Sequence, residues 1–221
     1  MGSVQNNQLP DLSSATALDE IEDAFARHEE WLLQRLGKFT ASEFSRLMTY
    51  EDKPEVFPKG GQSYVDEKIT EVLTGLPAKD DFENKHITRG NELEETAVAA
   101  FIDKTGIDVE NLGSQQQFLT WSEKRQYNKV EYTLDEHTGC TPDGLIGDDM
   151  GLEVKCPKST THLKYMRTIN SAKDLKKEKP EYYWQTQGSM MITGRKAWYF
   201  MSYDDRFISE KLRAHIIRID R

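Results

Sequence analysis

The chain has 221 residues, of which 37% are hydrophobic and 30% are charged, and its formal net charge is −9. The length suits one domain with a complete core, and the composition is too rich in apolar residues for a disordered chain. There is no apolar run of about 18 residues and no secretory signal, so the sequence predicts neither a membrane span nor export. The two cysteines, Cys140 and Cys156, favour a reducing cytoplasm over a disulfide scaffold.

The sequence predicts a single domain over residues 1–221, with a loose segment over residues 1–13. Helical periodicity predicts a first helix over residues 15–36 that ends at Gly37. Thr40–Glu43 reads as a capping box that opens a short helix ending near Thr49. The remaining predicted helices span residues 63–74, 88–104, 160–169 and 180–192. The predicted strands span residues 115–120, 130–134, 145–146, 152–155, 196–203 and 212–219. Helices before and after a central mixed sheet predict an α/β fold.

Thr141–Gly144 and Glu153–Lys155 together predict a metal site. The residues between them read as a β-hairpin that turns near Asp148–Asp149, which would place Asp143 across from Glu153. Because cross-strand Cβ atoms lie about 5 Å apart, the two carboxylates can share one Mg²⁺ ion.

The alternation of side chains along a strand places Lys155 on the same face as Glu153, while Val154 points the other way into a core. An ammonium there can hold an attacking water or a developing negative charge. The alternative is a solvated hairpin with ordinary surface charges.

Other polar side chains are candidates to support this site. Glu92, Glu94 and Glu95 are candidates for a third carboxylate that orients the waters Mg²⁺ retains. Tyr182 and Gln185 are three residues apart on one helix face, from which they can reach a phosphate or a cation-bound water. Exposed surface residues are the common alternative for all five.

Two regions are candidates for phosphate binding. Arg35 and Ser42 bracket a turn into a helix N-terminus, where a guanidinium, a hydroxyl and free N–H groups can bind an anion. A capping serine and a surface arginine are the plainer interpretation of that pair. Residues 158–179 include seven basic and two acidic side chains, a charge of +5 that leaves −14 for the rest. This window can contact DNA phosphates or form a solvated basic loop.

Six motifs occur in a specific order, namely Arg35–Ser42, Arg89–Glu94, Thr141–Gly144, Gly151–Pro157, Tyr182–Gln187 and Lys196–Phe200. Over roughly residues 28–221 the chain resembles the lambda-type alkaline exonucleases of viral recombinases. The resemblance implies a restriction-endonuclease-like core, in which helices flank a central mixed sheet, that degrades the 5′-ended strand of linear double-stranded DNA. It also implies release of mononucleotides and a 3′ overhang for a single-strand annealing protein. The resemblance further implies that the protein forms a homotrimer ring, is encoded by a phage or prophage, and acts in the bacterial cytoplasm.

The resemblance also implies a role for each site residue. Asp143 and Glu153 would bind Mg²⁺, or Mn²⁺ as a substitute, with the backbone carbonyl of Val154 completing the ligands. Lys155 would position or activate water. Further catalytic support would come from Glu94, Gln185 and Tyr182.

In the same way, Arg35, Ser42 and Thr141 would bind the 5′-phosphate. Thr141 stands where the reference member of the family carries serine, so the hydroxyl is kept. Two other functions stay open. One is a structure- or sequence-specific endonuclease on the same core, and the other is a non-catalytic DNA-binding recombination accessory.

Overall fold

The structure is a computed structural model that describes residue 26 and residues 30–53, 55–78, 85–110, 117–120, 125–127, 130–132 and 137–221. The chain divides into a first unit, Met1–Arg35, and a second unit, Leu36–Arg221. The loose segment predicted over residues 1–13 lies outside the described residues. Of the helix predicted over residues 15–36, residue 26 and residues 30–36 are described, and all of them except Leu36, which lies in a turn, are helical. The prediction of a single domain stays a prediction.

The second unit contains nine described strands. These strands are β1 (Phe39–Thr40), β2 (Leu119–Thr120), β3 (Arg125–Tyr127), β4 (Val130–Tyr132), β5 (Thr138–Cys140), β6 (Gly144–Ile146), β7 (Met150–Lys155), β8 (Ala197–Tyr203) and β9 (Ala214–Asp220). They form a four-stranded sheet in the order β6-β7-β8-β9, a three-stranded sheet in the order β1-β5-β2 and the pair β3-β4. Because β7 and β8 are parallel while their outer neighbours are antiparallel, the largest sheet is mixed, as predicted.

Five α-helices are described in the second unit. They are α1 (Lys59–Thr74), α2 (Lys85–Thr105), α3 (Ser159–Thr168), α4 (Ala172–Glu178) and α5 (Pro180–Thr193). Short 3-10 helices span Ala41–Arg46 and Glu210–Leu212. The helices α1, α2 and α5 are followed by glycines with φ near 70°, a left-handed conformation that ends helices at little steric cost. None of the described helices is long and apolar enough to cross a membrane.

The four-stranded sheet is covered on both faces. On one face, Leu152 and Val154 of β7 pack with Ala97 and Phe101 of α2. On the other face, side chains of β8 and β9 pack against α3, α4 and α5, and this group is Tyr165, Leu175, Met190, Trp198, Phe200 and Ile219. The alternation along the strands therefore separates two cores, which confirms the α/β fold.

Two local predictions were wrong and one helix was missed. The helix predicted from Ser63 begins four residues earlier, after Pro58, so Ser63 lies inside it. The capping box at Thr40–Glu43 does not form, because the Thr40 hydroxyl contacts other hydroxyls and no side chain caps the 3-10 helix. The helix α4 was not predicted. Its signal was Ser171, which caps the helix by accepting a hydrogen bond from the Asp174 backbone N–H.

Candidate active site

The β6–β7 hairpin places two acidic residues opposite each other. Its three pairs run from Ile146 with Met150 to Gly144 with Leu152. One step beyond the last pair, the same register sets Asp143 against Glu153. This is the arrangement that the spacing of the two motifs predicted, because a hairpin with a short turn has only one register that buries its apolar face.

Glu153 is a buried carboxylate with one satisfied oxygen and one orphaned oxygen. Its residue is 1% exposed. Oε1 accepts a hydrogen bond from Lys155 Nζ at 2.5 Å and another from Gln185 Nε2 at 2.6 Å. Oε2 is buried and has no hydrogen-bond partner among the described residues. A buried polar atom without a partner is costly, so this oxygen is suited to receive a ligand.

Asp143 faces the same space. Its Oδ2 accepts the Val154 backbone N–H at 2.6 Å, which ties the residue to β7. Part of the residue is exposed, but protein surrounds the carboxyl group, and this burial is the first cause that raises the pKa of Asp143 well above its usual range. Repulsion from Glu153 raises this pKa further, and Glu94 adds to the repulsion, whereas Lys155 opposes it.

Lys155 supplies the positive charge of this group. Burial alone would lower the pKa of its ammonium, but Glu153 and Asp143 outweigh burial and raise it above the ordinary value. Lys155 Nζ also lies 5.4 Å from the centroid of the Tyr182 ring, which stacks on Phe200 with ring centroids 5.7 Å apart. The structure thus holds Lys155 as an ammonium between a carboxylate and an aromatic face. We call Asp143, Glu153, Lys155 and Gln185 the acidic cluster.

The acidic cluster fits a hard divalent cation. Lys155 forms an ion pair with Glu153 and acts electrostatically on Asp143, and one buried oxygen of Glu153 has no partner among the described residues. Oxygen ligands of this kind suit Mg²⁺, which binds through one or two carboxylates and keeps several waters. No group of three histidine, cysteine or acidic side chains that could hold a metal ion exists among the described residues. The cation would therefore rely on these two carboxylates together with water and backbone or substrate oxygens.

The candidates for a third acid are distributed differently. Glu94 is half-buried and acts electrostatically on Asp143, whereas Glu95 is exposed. The side chain of Glu92 lies outside the described part of the structure. Of the three, Glu94 is the one that the structure associates with the acidic cluster.

Two of the predicted phosphate ligands leave the same edge of a second sheet. The strands β1 and β5 pair in parallel, with Thr40 opposite Gly139. The carboxyl ends of parallel strands lie at one edge of a sheet, and Ser42 and Thr141 follow the carboxyl ends of β1 and β5 within two residues. We call this edge, with Ser42 and Thr141, the hydroxyl edge. Asp143 follows Thr141 by two residues, so this edge leads directly into the hairpin of the acidic cluster.

The 3-10 helix that carries Ser42 is seated closely on α5. A Cβ atom on Gly188 would lie 2.6 Å from the Phe44 ring and 3.2 Å from the Ala41 Cβ, so only glycine permits this approach. Since α5 also carries Gln185 and Tyr182, one helix supports both the hydroxyl edge and the acidic cluster. The sequence carried no signal of this contact.

Arg35 belongs to the first unit. Its guanidinium carbon lies 4.2 Å from the centroid of the Trp31 ring, within the helical residues 30–35. The predicted contact of Arg35 with a 5′-phosphate stays a prediction.

The basic window is folded and partly neutralised. It contains α3 and α4, and ion pairs join Lys164 to Glu178 and Lys179 to Glu181. Lys176 pairs with Glu51 and lies 5.1 Å from the centroid of the Trp184 ring. The interpretation of this window as a solvated loop was therefore wrong, because it forms two helices with paired charges.

A second polar group lies at the carboxyl end of β8. Its members are the buried residues His162, Ser202 and Asp204 and the more exposed Arg206, and we call them the β8-end cluster. His162 Nδ1 lies 2.7 Å from Ser202 Oγ, and its Nε2 lies 2.8 Å from the Leu212 carbonyl oxygen. Arg206 donates to both oxygens of Asp204, at 2.7 and 3.0 Å. Burial opposes ionisation of Asp204, but hydrogen bonds from Arg206 and Ser159 outweigh it and lower its pKa to about 2.

Comparison with known proteins relates the chain to viral recombinases and alkaline exonucleases. A family described as the YqaJ-like viral recombinase domain matches residues 30–196. The crystal structure of the alkaline exonuclease LHK-Exo from Laribacter hongkongensis shares 34% sequence identity, with a TM-score of 0.63 over 87% of this chain and 82% of that chain. LHK-Exo in complex with dAMP gives the same identity and coverage, with a TM-score of 0.64.

A phage-related exonuclease from Haemophilus somnus 129PT is similar in fold, with 17% identity and a TM-score of 0.57 over 83% of this chain and 84% of that chain. The curated proteins include no significant match.

Proposed function

The chain belongs to the YqaJ-like viral recombinase domain family, whose relatives here are alkaline exonucleases, and it is a DNA nuclease. From this premise we propose that it is a Mg²⁺-dependent 5′-to-3′ exonuclease on linear double-stranded DNA. It releases mononucleotides and leaves a 3′ single-stranded overhang for recombination by strand annealing. Mn²⁺ is the expected substitute for Mg²⁺.

One observation carries the proposal: Asp143 lies opposite Glu153 across the hairpin, and the buried Oε2 of Glu153 has no hydrogen-bond partner among the described residues. The folded protein brings two carboxylates together and satisfies only part of their hydrogen-bonding capacity. Such an arrangement destabilises the protein without a cation, and a bound cation would offset that cost.

Each residue of the acidic cluster has a distinct task. Asp143 and Glu153 would hold the cation, with the Val154 carbonyl as a further ligand. When bound, the cation would supply Lewis-acid chemistry at the scissile phosphate. Gln185 fixes the Glu153 carboxylate through Oε1, and Lys155 offers its ammonium to the water or to the scissile phosphate.

Two further residues complete the catalytic assignment. Tyr182 holds Lys155 in place through its ring, and Glu94 adds negative charge that strengthens cation binding. The assignment of Tyr182 is supported by its contact with Lys155, and that of Glu94 by its electrostatic influence on Asp143.

The hydroxyl edge provides selection of the DNA end. Ser42 and Thr141 bind the 5′-phosphate, and the resemblance adds Arg35 to this role. The complex of the relative LHK-Exo with dAMP supports a 5′-mononucleotide as product, because dAMP is a nucleotide that such a reaction would release. Hydroxyl groups and backbone N–H groups at a helix start suit a phosphate.

The proposed assembly accounts for DNA retention by an acidic chain. A protein with a net charge of −9 has little general attraction for DNA. A homotrimer that closes head to tail around the duplex retains DNA by topology and makes a broad basic surface unnecessary. We place this ring in the bacterial cytoplasm, encoded by a phage or prophage, with a single-strand annealing protein as its partner.

A time course on linear duplex DNA tests the proposal, with each strand labelled separately at its 5′ and 3′ ends. With Mg²⁺ present, we expect early release of the 5′ label as a mononucleotide and late release of the 3′ label. Nicking of covalently closed circular DNA would instead establish an endonuclease. DNA binding with no cleavage at any Mg²⁺ concentration would establish a binding accessory, and EDTA should stop only the cleavage reaction.

A further inference from the structure

Tyr64 is a buried tyrosine whose hydroxyl reaches the edge that carries Ser42. The residue is 1% exposed, on α1, and its ring meets Phe39 edge to face with centroids 5.0 Å apart. Its hydroxyl accepts the Thr40 backbone N–H at 2.8 Å. A buried phenol normally hydrogen-bonds through its polar end, and here that end fixes the residue at which β1 passes into the 3-10 helix.

The contact continues toward Ser42 through a second buried hydroxyl. Thr40 is 4% exposed, and its Oγ1 lies 3.4 Å from Tyr64 OH and 3.1 Å from Ser42 Oγ. Three hydroxyls therefore form a row that begins in the protein interior and ends at the partly exposed Ser42. Because Thr40 is β-branched, its χ1 angle is stiff, and its oxygen offers Ser42 a fixed partner.

We propose that Tyr64 and Thr40 are positioning residues for 5′-phosphate recognition, acting by fixing the side-chain rotamer of Ser42. This inference rests on the proposed function, because it requires Ser42 to contact the terminal phosphate. A freely rotating serine hydroxyl loses rotational freedom on binding an anion, whereas a pre-oriented one does not. The row thus raises the preference for a phosphorylated end without touching the DNA.

The first test is Tyr64→Phe, which keeps the ring that packs on Phe39 and removes only the hydroxyl. For wild type and variant we would measure kcat/KM on linear duplexes with 5′-phosphate and with 5′-hydroxyl ends. We expect the ratio of the two values to fall about fivefold, the size of one lost hydrogen bond, while the rate on 5′-hydroxyl ends stays unchanged. Tyr50→Phe is the matched control, since Tyr50 is 43% exposed and should leave the ratio unchanged.

Thr40→Val and Thr40→Ser form a second, independent pair. Valine matches the shape of threonine without its hydroxyl, so the ratio should fall as in Tyr64→Phe. Serine keeps the hydroxyl on an unbranched side chain, so the ratio should fall less than with valine. This pair keeps the inference testable if Tyr64→Phe does not fold, and circular dichroism checks folding in every case.

Three outcomes distinguish a failure of the proposed function from a failure of the inference about Tyr64 and Thr40. A wild-type ratio near one would show that the end-phosphate pocket of the proposed function is absent. A high wild-type ratio that both Tyr64→Phe and Thr40→Val leave intact would overturn the inference alone. A loss of rate that is equal on both kinds of end would also overturn it, because general destabilisation does not discriminate between ends.

Discussion

The acidic cluster and the β8-end cluster both adjoin the parallel strands β7 and β8. They differ in how completely their buried carboxylates are paired with positive charge. The strands bring them close, because Lys155 and Ser202 are register partners. Glu153 is 1% exposed and Asp204 is fully buried, so burial does not distinguish them. The difference lies in the partners: an arginine bonds both oxygens of Asp204, whereas Glu153 shares one lysine with Asp143.

The direction of the pKa shifts reflects this difference. The Asp143 pKa is raised by burial and by Glu153, while the Asp204 pKa is lowered to about 2, since hydrogen bonds from Arg206 outweigh burial. At neutral pH the first carboxylate therefore costs folding free energy and the second contributes it. A buried carboxylate whose partners neutralise it thus stabilises the fold, whereas an incompletely paired one indicates a place where a ligand binds.

The largest expected effect comes from Asp143→Asn, which should separate function from stability. Cleavage of linear duplex DNA should fall by about a thousandfold or more, because a cation ligand is lost. Thermal unfolding in EDTA should shift to higher temperature, because the substitution removes repulsion from Glu153. Digestion at the wild-type rate would reject the assignment of Asp143.

Gln185→Leu should have the next largest effect on activity. The side chain of Gln185 orients Glu153, and removal of such an outer partner typically costs about 10–100-fold in activity or metal affinity. A titration of the cleavage rate with Mg²⁺ measures both. Gln187→Leu on the same helix is the control, since its Nε2 bonds the Asp220 carbonyl oxygen and should not affect the Mg²⁺ dependence.

Asp204→Asn should reverse the pattern of Asp143→Asn. Breaking a buried ion pair is strongly destabilising, but Arg206 is 46% exposed and solvent reduces the loss, so we expect about 2 kcal/mol in urea unfolding. The rate per folded molecule, measured well below the melting temperature, should stay within about twofold of wild type because no ligand of the cation changes. Greater stability of this variant than wild type would contradict the comparison.

The smallest effect concerns pH. Burial lowers the pKa of His162, against the influence of the Leu212 carbonyl and Asp204, while His215 and Lys104 reinforce the shift. The unfolded chain therefore binds the proton more readily than the folded chain. The stability from neutral His162 is present above its unfolded pKa near 6.5 and is lost as the pH falls below that value. Urea unfolding between pH 8 and pH 5 should show this decline, and His162→Gln should flatten it.

Local spacing was sufficient to predict much of the fold and the centre of the site. The hairpin between Asp143 and Glu153, the alternation that pairs Glu153 with Lys155 and the helix after Pro180 all depend on residues within one or two elements. Such patterns can be recognised in a sequence because backbone geometry fixes the periods of strands and helices. The start of α1 and the helix α4 were missed, because weak end signals competed with residues that also favour loops.

The sequence by itself therefore determined the α/β class, the opposed carboxylates and the lysine beside them, together with the motifs that relate the chain to viral recombinases. Only the tertiary structure decided which oxygen of Glu153 meets Gln185, that Thr40 lies opposite Gly139, and that Tyr64 reaches the hydroxyl edge. These contacts join residues far apart in the chain, and they depend on how whole faces pack. No local pattern encodes the position of a side chain against a distant partner, because that position is the sum of many packing contacts.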